Sequence, residues 1–241
     1  FLSRPIGQVK KIGVKSFAIR GTTYKQTVEV TNGYNTQTTT TTTLQFPKQP
    51  NEVWDALMEK LYPELAAIIQ EEIAPVLPLE TVTNAPSYST IESFSKDDVN
   101  TKVEFERAYK NTKVVSAFLP ISEGFGNSGV NERLMNETGA DALATITLDL
   151  EISEGGGLVL MSPKLALEIS GKSNGYVYNT KYCTVNIKSS KGTGFTNNIT
   201  PAQLEAIVRK SDLMIVFRKA LKEMKEKEKT NQDYEIVWNM Q

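Results

Sequence analysis

The chain has 241 residues, with 27 Lys and Arg against 28 Asp and Glu, no histidine and one cysteine. Near-zero net charge leaves no global field to draw in nucleic acid, and no apolar run approaches the roughly 20 residues a membrane-spanning helix needs. Without imidazole there is no usual general base, no usual zinc ligand and no Ser-His or Cys-His nucleophile, so neither a metal site nor a cofactor is expected.

A hydrophobic fraction of 39% is ordinary for a globular chain, and a chain of this length buries about 70% of its unfolded surface. One domain spanning residues 1–241 is expected. The chain opens on Phe1 rather than Met, which fits removal of an N-terminal segment, a cleaved secretion signal being one source.

In chain order, residues 10–19 read as a first core strand, with Ile12, Val14 and Ser16 on one face and Gly13, Lys15 and Phe17 on the other. Residues 22–46 read as a projecting β-hairpin turning at Asn32-Gly33, whose second arm carries the threonine tract 38–43. That tract is too polar on both faces for a core. Trp54, Leu57, Met58, Leu61, Leu65, Ile68, Ile69 and Ile73 recur at helical spacing, and Pro63 either kinks this helix or begins a new one. Residues 74–96, rich in Pro, Ser and Thr, read as a long loop with a short strand near 79–82. A helix is expected over 97–109 and a buried strand over 113–119.

Residues 131–152 hold a helix, its stop and a strand in succession. Leu134 and Met135 give the helix an apolar side, and Gly139 suits the left-handed position past its end. From Ala142 the even positions are apolar through Ile152 and the odd ones largely polar, so one strand face is buried. Glycine turns at 155–157 and 171–175 then join further strands over 158–169 and 176–187 into an antiparallel meander, with Pro163 marking a bulge or an edge. Cys183 on the last of these strands reads as a buried structural thiol. Thr200-Pro201-Ala202-Gln203 is a capping box opening a helix to about residue 226, and Tyr234, Ile236 and Trp238 alternate as a short edge strand would.

Three constellations could carry chemistry. Gly124, Gly126 and Gly129 match the dinucleotide fingerprint, with Asp149 at the spacing of a ribose ligand. Against it stand the insertion of residues 120–123 after the strand, the charge of Glu123, and a meander where a second crossover unit should follow. Asp141 reads as a structural carboxylate serving the turn after Gly139. Asp149, Glu151, Glu154 and Glu168 could line one sheet face as a carboxylate pair or hard-metal site, but read as a solvated face.

The segments KIGVKSF (residues 11–17) and TGADAL (residues 138–143) resemble bacterial envelope proteins related to the N-terminal domain of TolB and to the curli-secretion, CsgG-like family. The resemblance covers the first strand and residues 113–170. It implies a three-layer α/β domain exported to the periplasm or cell surface, and a role in protein contacts or assembly. The long threonine hairpin departs from that pattern, there is no lipid-attachment cysteine near Phe1, and no hairpin is apolar enough on one face to build a membrane barrel.

The resulting expectation is an α/β fold with α+β tendency: a mixed, largely antiparallel sheet covered by helices over 51–73 and 201–226, with a Thr-rich projecting hairpin. The expected function is non-catalytic binding or assembly in the bacterial envelope, through envelope proteins or self-association. The alternatives are a nucleotide-binding enzyme using residues 124–129 and a surface carbohydrate-binding or adhesive module. A small-molecule ligand stays open.

Overall fold

The computed structural model describes residues 2–3, 5–24, 26–32, 36–42, 46–91, 93, 101–115, 129–155, 158–173, 179–190, 192–195, 199–209, 211–230 and 239–240. In chain order its strands are β1 (Leu2–Ser3), β2 (Ile12–Tyr24), β3 (Gln26–Asn32), β4 (Thr36–Thr42), β5 (Thr101–Ala108), β6 (Ala142–Gly155), β7 (Leu158–Ser173), β8 (Asn179–Lys188), β9 (Thr193–Phe195) and β10 (Asn239–Met240). The helices are α1 (Asn51–Glu72), α2 (Leu79–Thr83), α3 (Val130–Thr138), α4 (Pro201–Arg209) and α5 (Leu213–Thr230). The main sheet runs β1-β8-β7-β6-β2-β5, and β3 and β4 form a separate two-stranded sheet. The expected α/β fold, with a mixed, largely antiparallel sheet, is present.

The alternation along β6 does what its period requires. Ala142, Ala144, Ile146, Leu148, Leu150 and Ile152 are fully buried against the face that α1, α4 and α5 cover. β2 lies beside β6 in parallel, with Ile12 opposite Ala142, so the two segments quoted for the envelope resemblance are neighbours. The β6-β7-β8 meander is antiparallel throughout. Cys183, on β8, is completely buried in this core.

Simple alternation fails at one point on β2. The register jumps between Val14 and Ser16, leaving Lys15 as an extra residue, and this bulge carries Phe17 to the same buried side as Val14. Pro163 lies where it costs no ladder bond. β8 pairs with β7 from Lys164 onward and β9 pairs with residues 159–161, so the missing N–H falls between them.

A second, smaller cluster packs on the opposite side of the sheet, joining Val82 of α2, Tyr88, Leu134 and Met135 of α3, and Leu143 of β6. Gly13 marks the close approach there: a Cβ on it would sit 2.9 Å from a Val82 methyl and 3.2 Å from Leu143.

Several local expectations change. Residues 101–108 form strand β5, not the helix expected over 97–109, because the outer side of β2 pairs with them from Ala18–Ala108 to Tyr24–Thr101. The strand expected near residue 79 is helix α2, and the expected loop over 74–96 also holds a 3-10 turn at Pro86–Thr90. Of the strand expected over 113–119, only residues 113–115 are described; no strand is assigned there, and Val115 is buried in the second cluster. α1 runs unbroken through Pro63.

The capping box forms as expected, with Thr200 N–H donating to Gln203 Oε1 at 2.8 Å and Gln203 N–H to Thr200 Oγ1 at 3.2 Å. The following helix is interrupted between α4 and α5. There Ser211 Oγ donates to Val208 O at 2.5 Å, and the Asp212 carboxylate accepts from Ser189 Oγ at 2.8 Å and from Ser190 N–H at 3.0 Å at the end of β8. Hydrogen bonds from the Ser190 and Ser189 hydroxyls hold the Asp212 carboxyl below the usual range. The expected tail strand over residues 234–238 lies outside the described residues, while Asn239–Met240 pairs in parallel with β8.

Candidate functional site

β2 ends at Tyr24 and β3 begins at Gln26, so the chain passes from the main sheet to the threonine-rich ribbon with one residue between the two strands. Within the ribbon, Gln26 pairs with Thr42 and Asn32 with Thr36. Three residues, 33–35, therefore connect the arms and Asn32 belongs to a strand, which replaces the expected two-residue turn at Asn32-Gly33. The main-chain partners of β3 lie on β4 alone among the described residues.

The foot of the ribbon is built from residues far apart in sequence. Thr23, fully buried at the end of β2, donates its hydroxyl to Glu104 Oε1 at 3.0 Å. Phe46, where the chain returns, donates its backbone N–H to the other oxygen of the same carboxylate at 3.0 Å. One carboxylate on β5 thus holds the end of β2 before the ribbon and Phe46 after it. Beneath it, Trp54 of α1 stacks on Phe105 with ring centroids 4.4 Å apart and tilts against Phe46 at 5.9 Å. Gly21 is required under Phe46, since a Cβ there would lie 2.5 Å from the ring.

β5 is itself fastened to the helical layer. Arg107 forms a two-pronged ion pair with Asp55 of α1 at 2.7 and 2.6 Å, and the Tyr109 hydroxyl donates to Glu59 at 2.8 Å. The Arg107 hydrogen bonds hold the Asp55 carboxyl below its usual range. Among the described residues β5 pairs on one side only, with β2, whereas the outer side of β8 meets both β1 and β10.

The residues singled out from sequence fall elsewhere. Gly124 and Gly126 lie outside the described residues; Gly129 is the N-cap of α3 and has no side-chain cap bond. Asp149 is held by Arg20 through both oxygens, at 2.6 and 2.9 Å, which occupies the carboxylate that a ribose would need. Gly139 ends α3 with φ +69°, the left-handed geometry expected of it.

At the turn after Gly139 the donors go to other acceptors than Asp141. Asp141 and Ala142 both send their N–H to Lys11 O, at 2.9 and 3.3 Å, and Ala140 N–H reaches Thr138 Oγ1 at 3.4 Å. The Asp141 side chain is exposed.

Of the sheet-face carboxylates, Asp149, Glu151 and Glu168 are paired with cations, a different arrangement from the solvated face expected, while the Glu154 side chain lies outside what is described. Glu151 meets Lys164 at 2.7 Å and Lys188 at 3.4 Å, and Glu168 meets Lys181 at 3.3 Å. Burial pushes the Glu168 carboxyl above its usual range despite Lys181 and Lys15. Among the described residues no group of His, Cys, Asp or Glu is arranged to hold a metal ion.

The glutamate clasp was not legible in the sequence, since Thr23 and Glu104 are brought together only by the β2-β5 pairing. No family model, curated protein or solved structure matches the chain.

Proposed function

We propose that this chain is a non-catalytic binding or assembly protein of the bacterial cell envelope, acting in the periplasm or at the cell surface through protein contacts, with the ribbon of Gln26–Asn32 and Thr36–Thr42 as its contact element. The observation that carries the reading is the ribbon's construction. An isolated two-stranded hairpin is marginal in water, yet this one extends from a strand embedded in a large core and leaves from a foot fixed by Glu104. An extended partner could add a strand along it through main-chain hydrogen bonds. The envelope assignment is supported by the resemblance in residues 11–17 and 138–143, whose strands lie side by side.

The test is removal of the ribbon alone. Thr22 and Thr23 are buried and paired on β2, so the excision runs from residue 26 to 42 with a short glycine linker. The thermal midpoint should move by no more than about 2 °C, while capture of periplasmic partners by the purified, tagged chain is lost. Unfolding of the excised chain, or capture that survives excision, would remove the ribbon as the contact element.

A further inference from the structure

The ribbon is joined to the body at two points of unequal firmness. Thr23, before it, is paired on both sides, with Lys102 of β5 and Ile152 of β6. Phe46, after it, belongs to no strand. Its buried ring covers Gly21 and lies 5.9 Å from the ring of Trp54, and its N–H goes to Glu104.

The body is shaped to receive Phe46 in two ways. The register of β5 against β2 passes from Gly21–Phe105 to Thr22–Val103, which leaves Glu104 as an extra residue, and a bulge of this kind re-aims the side chain it carries. The carboxylate so placed gives one oxygen to Thr23 and the other to the Phe46 N–H, at 3.0 Å each. On β2, Gly21 leaves open the space the ring fills, since a Cβ there would come within 2.5 to 2.8 Å of Cε1, Cδ1 and Cγ of Phe46. Ring packing and one bond to a carboxylate hold Phe46 without any ladder pairing, so it can leave while β2, β5 and β6 stay paired.

We infer that Phe46 is a latch for the ribbon: seated over Gly21 with its N–H on Glu104 it holds the ribbon in one orientation on the sheet, and unseated it lets the ribbon turn about the end of β2 while the main sheet stays closed. A ribbon held in one orientation meets a partner without first losing orientational freedom, which is how preorganisation raises affinity. That use of the latch rests on the ribbon being the contact element, whereas the latch itself does not.

Electron spin distance measurement in the full chain tests it, with labels at Thr39→Cys on β4 and Ala202→Cys on α4, Cys183 staying unlabelled because it is buried. The unmodified foot should give one narrow distance. Gly21→Ala, which denies the ring its place, should spread it into a broad distribution, and so should Phe46→Ala, which removes the ring and leaves β2 untouched. Glu104→Gln, with one acceptor lost, should speed hydrogen exchange at the Phe46 N–H about fivefold, and exchange along β6 should keep its rate in all three variants. A broad distribution in the unmodified chain overturns the latch. So does a narrow one that persists when the ring is removed, or a spread accompanied by faster exchange along β6. None of these results touches the contact reading, which falls instead if capture survives excision of residues 26–42.

Discussion

β2 and β3 follow one another in the chain with one residue between them, yet these two halves live in different surroundings. Residues 12–23 pair with β6, residues 18–24 pair with β5 on the other side, and Ile12, Val14, Phe17 and Ile19 lie under a helical layer. Among the described residues, 26–32 have one partner strand, itself almost all threonine. Both halves satisfy backbone hydrogen bonds along a ladder, so hydrogen bonding does not distinguish them. Apolar content does: Ile12, Val14, Phe17 and Ile19 are buried in the core, each Å² of apolar surface contributing roughly 25 cal/mol, whereas the sequence of the second half and its partner strand is mostly polar.

The largest test of that contrast is Leu148→Ala. Leu148 is 1% exposed and sits in register between Ile19 and Leu165; truncating it should cost about 2 to 5 kcal/mol in urea unfolding. Thr40→Ala in the ribbon should stay within about 0.5 kcal/mol, and equal costs would break the comparison.

Next comes the fastening of the helical layer over the embedded half. Glu72 of α1, 8% exposed, faces Lys225 at 2.9 Å, Arg218 at 3.3 Å and Lys222 at 3.7 Å on α5. Burial alone would raise its pKa, but these cations more than offset that and lower it. A lowered folded-state pKa gives stability that is present above the unfolded value near 4.3 and lost as pH falls through the folded value. Glu72→Gln should therefore be destabilising at pH 7, with its deficit closing below about pH 4; a deficit independent of pH would assign Glu72 a packing role only.

Gly13→Val should cost about 1 to 3 kcal/mol, because Val82 and Leu143 already occupy the space its methyls need. The same exchange would be harmless were the second cluster loosely packed. A smaller effect should be that of Glu104→Gln at the junction between the halves. Loss of one charge-assisted acceptor should cost about 1 kcal/mol, and hydrogen exchange should quicken at Phe46 N–H but not along β6. Faster exchange in β6 would mean that foot and core open together.

Where a segment's own pattern agreed with its surroundings, the sequence was enough. The even positions of β6, the apolar spacing of α1, the Thr200-Gln203 box and Gly139 each form what their local chemistry asks for. Residues 101–108 illustrate the opposite case. Glu104, Glu106 and Arg107 suit an exposed helix, and the alternation of Val103 with Phe105 was the available sign of a strand. Pairing with β2, some 80 positions earlier, decided the outcome.

The bulge at Lys15 was hidden for a similar reason, since it appears only when β2 is set against β6. Asp141 had the right residue type for capping its turn, but Lys11 O had already claimed the donors. The Glu104 clasp required knowing β5, so misreading that strand concealed the foot of the ribbon as well.

The lone thiol has a use of its own. Cys183 is wholly enclosed on β8 between the meander and the helices, and burial, with Glu168 nearby, raises its pKa far above the ordinary range. It can meet an alkylating reagent only when that enclosure opens. The chain thus carries an internal clock: the rate of thiol labelling in native buffer times the opening of its most protected region, with no probe introduced, and the same clock should keep its pace in a chain whose ribbon has been cut away.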